Sequence, residues 1–431
     1  MKKGLAKSRS GIVAALDIGS TKICCFIART HDGGPAPLIG INHATAARPR
    51  VIGVGHQVSK GVKSGVIVDM EAAETSILTA VNAAENMAGE QIDRVFVNLA
   101  GGHPASQTFD IEVPLDGQEI GDRDLRHVLD QWQRIEHAAE RTLIHSIPLG
   151  FSLDRHGGIR DPRGMVGRTL GANMHVVTAQ AGAVRNLAAV IRRCHLEIEG
   201  FVVAPLASGL AALVEDEKDL GVTVIDMGGG TTTIAVFFDG HPIFTDCVSI
   251  GGAHVTADIA HGLSTALTDA ERLKTLYGGA IASPLDDKDI VDVPLVGEDQ
   301  STSPNHVPKS HLVAIIKPRL EETFELVRDR LDESGFDKLA GRRVVLTGGA
   351  SQLPGVREMA QLVLEKQVRM GKPLGIQGLA EAAGGPAFST CAGLLTYAVN
   401  PQIDAPRVAG LHTGAASDLI GRVGKWLKEY F

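Results

Sequence analysis

Cysteine is sparse and unpatterned in this 431-residue chain: Cys24, Cys25, Cys194, Cys247 and Cys391 make neither a CxxC pair nor a disulfide ladder. Several lie inside apolar runs, so they read as buried, reduced thiols of a cytosolic protein. The 16 histidines include no HxxxH or HExxH arrangement, which argues against a zinc site. No run of about 18 apolar residues occurs, so nothing spans a bilayer and any membrane contact is expected to be peripheral. Lysine and arginine form no cluster, and the net charge of −8 argues against nonspecific nucleic-acid binding. The basic start, with Lys2, Lys3, Lys7 and Arg9, lacks a signal peptide's long apolar stretch, because the run that follows ends at Asp17. A composition of 44% hydrophobic and 21% charged residues then fits a globular chain with room for two or more domains.

What is present is a pair of matching turns. Gly11 to Leu16 leads into Asp17-Ile18-Gly19-Ser20-Thr21-Lys22, and Gly221 to Ile225 leads into Asp226-Met227-Gly228-Gly229-Gly230-Thr231-Thr232-Thr233. Each turn is followed by a second apolar run, Ile23 to Ala28 and Ile234 to Phe238. Strand, glycine turn and strand make a hairpin whose tip presents backbone N–H groups and hydroxyls, the donors a triphosphate needs at close range. Gly19 and Gly228 to Gly230 permit that approach. Ser20, Thr21, Thr231 and Thr232 add hydroxyls, Lys22 adds a mobile positive charge, and Asp17 and Asp226 suit a hydrated Mg²⁺ held through its waters.

Two further elements extend the set. Val344 to Thr347 runs into Gly348-Gly349-Ala350-Ser351, a flat surface on which a purine could lie. Asp269 to Lys274 is helical in composition and places Glu271 and Lys274 one turn apart, spaced to grip two ribose hydroxyls. Gly252 completes the nucleotide-binding candidates. Alone, a DxGST turn is as readily an ordinary hairpin, and an E-x-x-K pair a solvated ion pair. Their order and spacing carry the weight.

That succession resembles the actin-like ATPases, which include actin, heat-shock chaperones and sugar kinases. Within them the chain resembles the bacterial cell-division FtsA family over nearly its whole length. The resemblance rests on Lys63 to Glu71 with the helix after it, His145 to Pro148, Gly158 to Gly164, Ala204 to Ser208, and Trp426 to Phe431. It implies an α/β, actin-like (ribonuclease H-like) fold with two lobes around a nucleotide cleft, an FtsA-type inserted subdomain and a C-terminal amphipathic helix. The expected first lobe is 11–99, 176–203 and 381–400, interrupted by an insertion at 100–175 with a helix around 122–141. The second lobe is 204–247 and 312–380, with its own insertion at 248–311 containing an exposed hairpin. Strands are expected at 11–16, 23–28, 38–41, 51–58, 94–99 and 176–179, and helices at 70–87, 183–194 and 312–331. Gly384 to Val399 reads as a small-residue helix serving either as a hinge or for tight packing.

Residues 401–416 read as a flexible linker. Beyond it, Leu419, Ile420, Val423, Trp426, Leu427 and Tyr430 form one apolar helical face, with Arg422, Lys425 and Lys428 opposite and Phe431 at the end. Such a helix either docks on the protein's own surface or lies in a lipid interface, and the tether, the Trp and Tyr and the basic face favour lipid. The resemblance implies ATP and Mg²⁺ as ligands, self-association into filaments, FtsZ as a partner held near 309–319, contacts with later division proteins, and a place on the cytoplasmic face of the inner membrane. Val202 to Leu206 offers no carboxylate to orient water, so hydrolysis is expected to be slow. A pilus or secretion anchor, a small-molecule kinase and a chaperone are the rival readings on the same fold.

Overall fold

Both Asp-terminated apolar runs fold as central strands, because β-branched and small residues fill a sheet that is buried on both faces. The computed structural model describes residues 11–30, 49–131, 140–297, 305–399 and 404. Ile12–Ile18 pairs antiparallel with Lys22–Arg29, and Val222–Met227 pairs antiparallel with Thr232–Phe238. In the first sheet the order is Glu197–Val203, Arg94–Leu99, Ile12–Ile18, Lys22–Arg29, Arg50–Val58. In the second it is Gln367–Met370, Arg343–Thr347, Val222–Met227, Thr232–Phe238, His241–Val248. Each Asp-bearing strand is flanked on one side by an antiparallel meander and on the other by two parallel strands. The two halves therefore share one topology, as the twin turns predict, and both tips emerge at the same kind of sheet edge.

Helices cover the sheets. Met70–Ala88 starts where the Asp69 carboxylate accepts the Glu71 and Ala72 N–H groups at 3.0 and 3.1 Å, and stops at Gly89 in the left-handed region. Ala181–Arg193 follows the expected course, and Lys309–Ser334 accommodates Pro318 within its length. The second-lobe insertion consists of the helices Gly252–Gly262 and Leu267–Tyr277 and a hairpin pairing Ile290–Val293 with Asn305–Pro308. All five cysteines are buried and free. Among the described residues no helix is long and apolar enough to cross a membrane. The strand expected near 38–41, the helix expected at 417–431 and the linker at 401–416, Asp404 apart, lie outside the described residues.

The first insertion is more ordered than its loop-like composition suggests. Ala105–Pro114, Thr169–Gln180, Arg141–Leu153 and His156–Ile159 form a four-stranded antiparallel sheet, with the helix Asp122–Gln131 packed on it. Val113, Leu125, Val128, Leu170 and Met174 build a separate small core there. The expected helix 122–141 is described only to Gln131, and Arg141 already begins a strand. Pro148 sits in that strand at a register shift, where its missing N–H disturbs the ladder least. The expected strand 176–179 is the end of Thr169–Gln180, whose Val177 and Ala179 reach the first-lobe core.

Two helices cross between the lobes, Ala204–Ala212 and Ser389–Val399. The second begins at Ser389 rather than 384, after short 3₁₀ turns at Glu381–Ala383 and Pro386–Phe388. Both helices are buried nearly throughout and share a core with Leu16 and Val97 of the first sheet and Val224 and Phe237 of the second. A side chain on Gly393 would overlap the Ala207 backbone carbonyl. The small-residue run is thus tight packing in this structure.

Just beyond Ser389–Val399, Asp404 closes a polar clasp. Its carboxylate accepts the Ser146 N–H at 2.8 Å, pairs with His145 Nδ1 at 2.8 Å and takes the Tyr397 hydroxyl. His145, fully buried, accepts the Val203 N–H on Nε2 at 3.0 Å. The Gly393–Ala207 approach makes a direct prediction: Gly393→Val should cost at least about 3 kcal/mol of unfolding free energy, at the top of the usual overpacking range. Denaturant unfolding that matched the parent chain would refute this helix crossing.

Candidate functional site

The twin tips converge on a cleft of about 470 Å³ between the lobes. Asp17, Gly19, Ser20, Thr21 and Lys22 line it from one side, and Asp226, Gly228, Gly229, Gly230 and Thr231 from the other. Gly252, Glu271, Lys274, Gly348, Gly349 and Ala350 complete the wall. The tips touch: a Cβ on Gly229 would overlap the Thr21 side chain, and one on Gly230 would overlap Ser20 Oγ. Glycine there is required by close approach of one loop to the other. Ser20 Oγ accepts the Gly65 N–H at 2.9 Å, while Gly252 and Ala253 donate to the Gly228 and Gly229 carbonyls at 2.9 and 2.7 Å. The start of Gly252–Gly262 is thereby stitched to the second tip.

Two acids sit at the base of the cleft, Asp17 at 8% and Asp226 at 7% exposure. Asp226 Oδ2 accepts the Thr390 hydroxyl at 2.8 Å and the Ser208 hydroxyl, and these two hydroxyls lie 3.0 Å apart. A Cβ on Gly348, which has φ +88°, would overlap Asp226 Oδ1. Burial pushes the Asp17 carboxyl up to about 7, with Lys22 opposing and Asp226 adding to the shift. Burial raises Asp226 as well, against the lowering effect of Ser208 and Thr390. Two buried acids facing one cleft suit a hard divalent cation, which prefers oxygen ligands. Among the described residues no three His, Cys, Asp or Glu side chains gather as a metal cage, so such a cation would take the rest of its shell from water and phosphate.

Lys22 lines the cleft, but its ammonium is engaged elsewhere. It donates to the Ala387 carbonyl and lies 3.6 Å from the centroid of the Phe388 ring. Glu271 and Lys274 do pair, at 2.7 Å. Lys274 also donates to Thr256 Oγ1 at 2.8 Å and to the Gly252 carbonyl at 3.1 Å. Gly348 leads into a 3₁₀ turn, Gly349–Gln352, and the helix Val356–Leu364 follows.

Thr232 is the one nucleotide-binding candidate that does not line the cleft. Its side chain is fully buried and its hydroxyl donates to the Ile250 carbonyl at 2.8 Å. Side chains alternate along a strand, so Thr231 and Thr233 face the cleft while Thr232 points away. Thr233 therefore belongs in the set, and counting parity from Thr231 would have found it. Asn98, Thr256, Ser208 and Thr390 also escape the motifs. Asn98 Oδ1 accepts the Ile18 N–H at 2.7 Å and holds the first tip's strand end. No local pattern marks these partners, which come from distant parts of the chain.

Paired sheets of one topology around a single cleft define an actin-like ATPase fold. Among solved structures the chain is similar to the PilM–PilN type IV pilus biogenesis complex, at TM-score 0.61 and 18% identity, covering 91% of this chain and 98% of that one. It is also similar to MreB5 of Spiroplasma citri bound to ADP, at TM-score 0.54 and 12% identity, covering 92% and 98%. The family model described as cell division protein FtsA matches residues 223–393, and that described as the SHS2 domain inserted in FTSA matches 101–178. The cell division protein FtsA of Rhizobium meliloti (strain 1021) is 47% identical, over 100% of this chain and 97% of its own length. The chain belongs to the FtsA family of cell division proteins.

The buried acid gives a pH prediction. Asp17 binds its proton more tightly folded than unfolded, since about 7 lies above its ordinary 3.8. The stability this contributes is present in full below the unfolded value and is lost as pH rises to about 7. Asp17→Asn should remove that loss. Without nucleotide, its gain over the parent chain should grow from near zero at about pH 4 to on the order of 4 kcal/mol above pH 7. A gain that is flat with pH in denaturant titrations would refute burial as the cause.

Proposed function

We propose that the cleft binds Mg-ATP and that the nucleotide-bound chain assembles into filaments which hold FtsZ polymers at the inner membrane. The observation that carries this reading is the meeting of both glycine tips, two buried acids and the Glu271–Lys274 pair in one cleft. Backbone N–H groups of the tips, with Ser20, Thr21 and Thr231, would receive the phosphates, and Lys22 would exchange the Ala387 carbonyl for one of them. Asp17 and Asp226 would hold Mg²⁺ through its waters, and the cation would supply charge neutralisation at the phosphates. Glu271 and Lys274 would take the ribose hydroxyls, and Gly252, Gly348, Gly349 and Ala350 would seat the purine. Ala204 lines the cleft in the segment that carries no carboxylate, which supports slow turnover.

The rest of the chain fits the anchoring role. By this reading the inserted sheet serves contacts with neighbouring subunits and later division proteins. FtsZ would be engaged near 309–319, where Lys309 now pairs with Asp286 at 3.0 Å and Arg319 with Asp258 at 2.6 Å. The apolar face from Leu419 to Tyr430 would enter the lipid interface, with Arg422, Lys425 and Lys428 toward the headgroups and Phe431 at its end. One short helix binds weakly, so assembly would strengthen attachment by raising the effective concentration of every added tail. This also couples filament formation to membrane binding.

Two measurements test the reading. Lys274→Ala should raise the dissociation constant for Mg-ATP about tenfold, the loss of one charge-assisted contact. An unchanged constant, read by displacement of a fluorescent ATP analogue, would count against the ribose assignment. In liposome sedimentation with FtsZ present, removing residues 417–431 should leave FtsZ in the supernatant. If the shortened chain still carries FtsZ to lipid, the anchor reading fails.

A further inference from the structure

Building on the nucleotide reading above, we propose that Thr233 positions the water that attacks the terminal phosphate of ATP in this cleft. Thr233 sits directly across the ladder from Asp226 and is 1% exposed. Its hydroxyl is buried without a hydrogen-bond partner, while the residue forms part of the cleft wall. Other buried side-chain atoms that lack partners among the described residues, such as Thr223 and Thr265 Oγ1, belong to residues outside that wall.

Four of the neighbouring hydroxyls are committed. Thr232 donates to Ile250, Ser208 and Thr390 donate to Asp226, and Ser20 accepts from Gly65. Thr21 and Thr231 also carry hydroxyls into the cleft, but among the described residues Thr233 has the one cleft-wall hydroxyl that is both fully buried and without a partner. Packing does not account for the residue. It lies in a strand continuing with Ile234, Ala235 and Val236, where valine has the same shape and leaves no polar atom unpaired. A buried hydroxyl without a partner, on a residue of the cleft wall, is the kind of group a water at that wall satisfies, and Asp17, Asn98 and Asp226 line the same cleft.

The chemistry needs such a group. Phosphoryl transfer passes through a loose transition state, so orienting the water matters more than deprotonating it early. A hydroxyl accepts one of the water's hydrogens and turns an oxygen lone pair toward phosphorus, and unlike a carboxylate it does not repel the phosphates. The water oxygen then bonds to the terminal phosphorus as the bond to the bridging oxygen breaks. The bridging oxygen keeps the electron pair on ADP, and the water's proton passes to the released phosphate. Thr233 is a positioning residue in this scheme, in a site that otherwise offers no dedicated base.

The full chain, Thr233→Val and Thr233→Ser are compared with Mg-ATP as the probe. For Thr233→Val the single-turnover hydrolysis rate should fall about tenfold or more while the dissociation constant for Mg-ATP stays within about twofold. Its melting temperature should not fall, since valine keeps the shape, and Thr233→Ser should restore the rate to within about threefold of the parent chain. An unchanged rate in Thr233→Val overturns the proposal. So does a large loss of Mg-ATP affinity or a shifted Mg²⁺ requirement in that variant, either of which would put the hydroxyl on the ligand itself. A parent chain that binds ATP without any turnover overturns it too. A parent chain that does not bind ATP sinks the nucleotide reading instead, a distinct result.

Discussion

The body of this protein is organised around one buried carboxylate. Asp226 stands at the end of the central strand of the second sheet, and its oxygens are held by Ser208 and Thr390, one from each of the two helices that cross between the lobes. Gly348, from the neighbouring parallel strand's end, leaves just enough room beside it. Sheet, crossing helices and glycine turn therefore meet at a single buried carboxyl group. A buried polar group is tolerable only when its hydrogen bonds are satisfied, so each of these elements is fixed by what Asp226 requires.

The facing acid, Asp17, is treated differently. It lacks a comparable pair of hydroxyl donors, and burial raises its proton affinity as it raises that of Asp226. A cleft with one satisfied and one unsatisfied acid is poised for added positive charge near Asp17. Lys22, the nearest ammonium by sequence, is occupied by the Ala387 carbonyl and the Phe388 ring. Phe388 stacks at 6.1 Å on Phe26, while Gly348 and Thr347 donate to the Pro386 carbonyl. The 3₁₀ turn at Pro386–Phe388 is thus gripped from both sheets. Whatever draws Lys22 away loosens a segment that both lobes share.

How much of this was legible follows from how local each signal is. The twin tips could be read because a strand ending in Asp-x-Gly is contiguous, and Glu271 with Lys274 because one helical turn places them together. Thr231 and Thr232 read as equivalent donors in the sequence, whereas period-two alternation turns Thr232 away and brings Thr233 to the cleft. The inserted sheet is not legible because the polar texture and the Gly- and Arg-rich turns of 100–175 read as loops, and Pro148 interrupts Arg141–Leu153 at a register shift. Ser208 and Thr390 reach Asp226 from 18 and 164 residues away, and no spacing rule encodes such meetings. The tertiary fold alone brings them together.

The Asp404 clasp bears on mechanics. It ties the start of the tail to the strand carrying His145 and Ser146 and, through His145, to the last residue of Glu197–Val203. Tension on the chain beyond this point enters at the seam between inserted sheet and first lobe. From there its load path runs through Val203 into Ala204–Ala212, the helix that carries Ser208. Pull and nucleotide would then act on the same short piece of backbone from opposite ends.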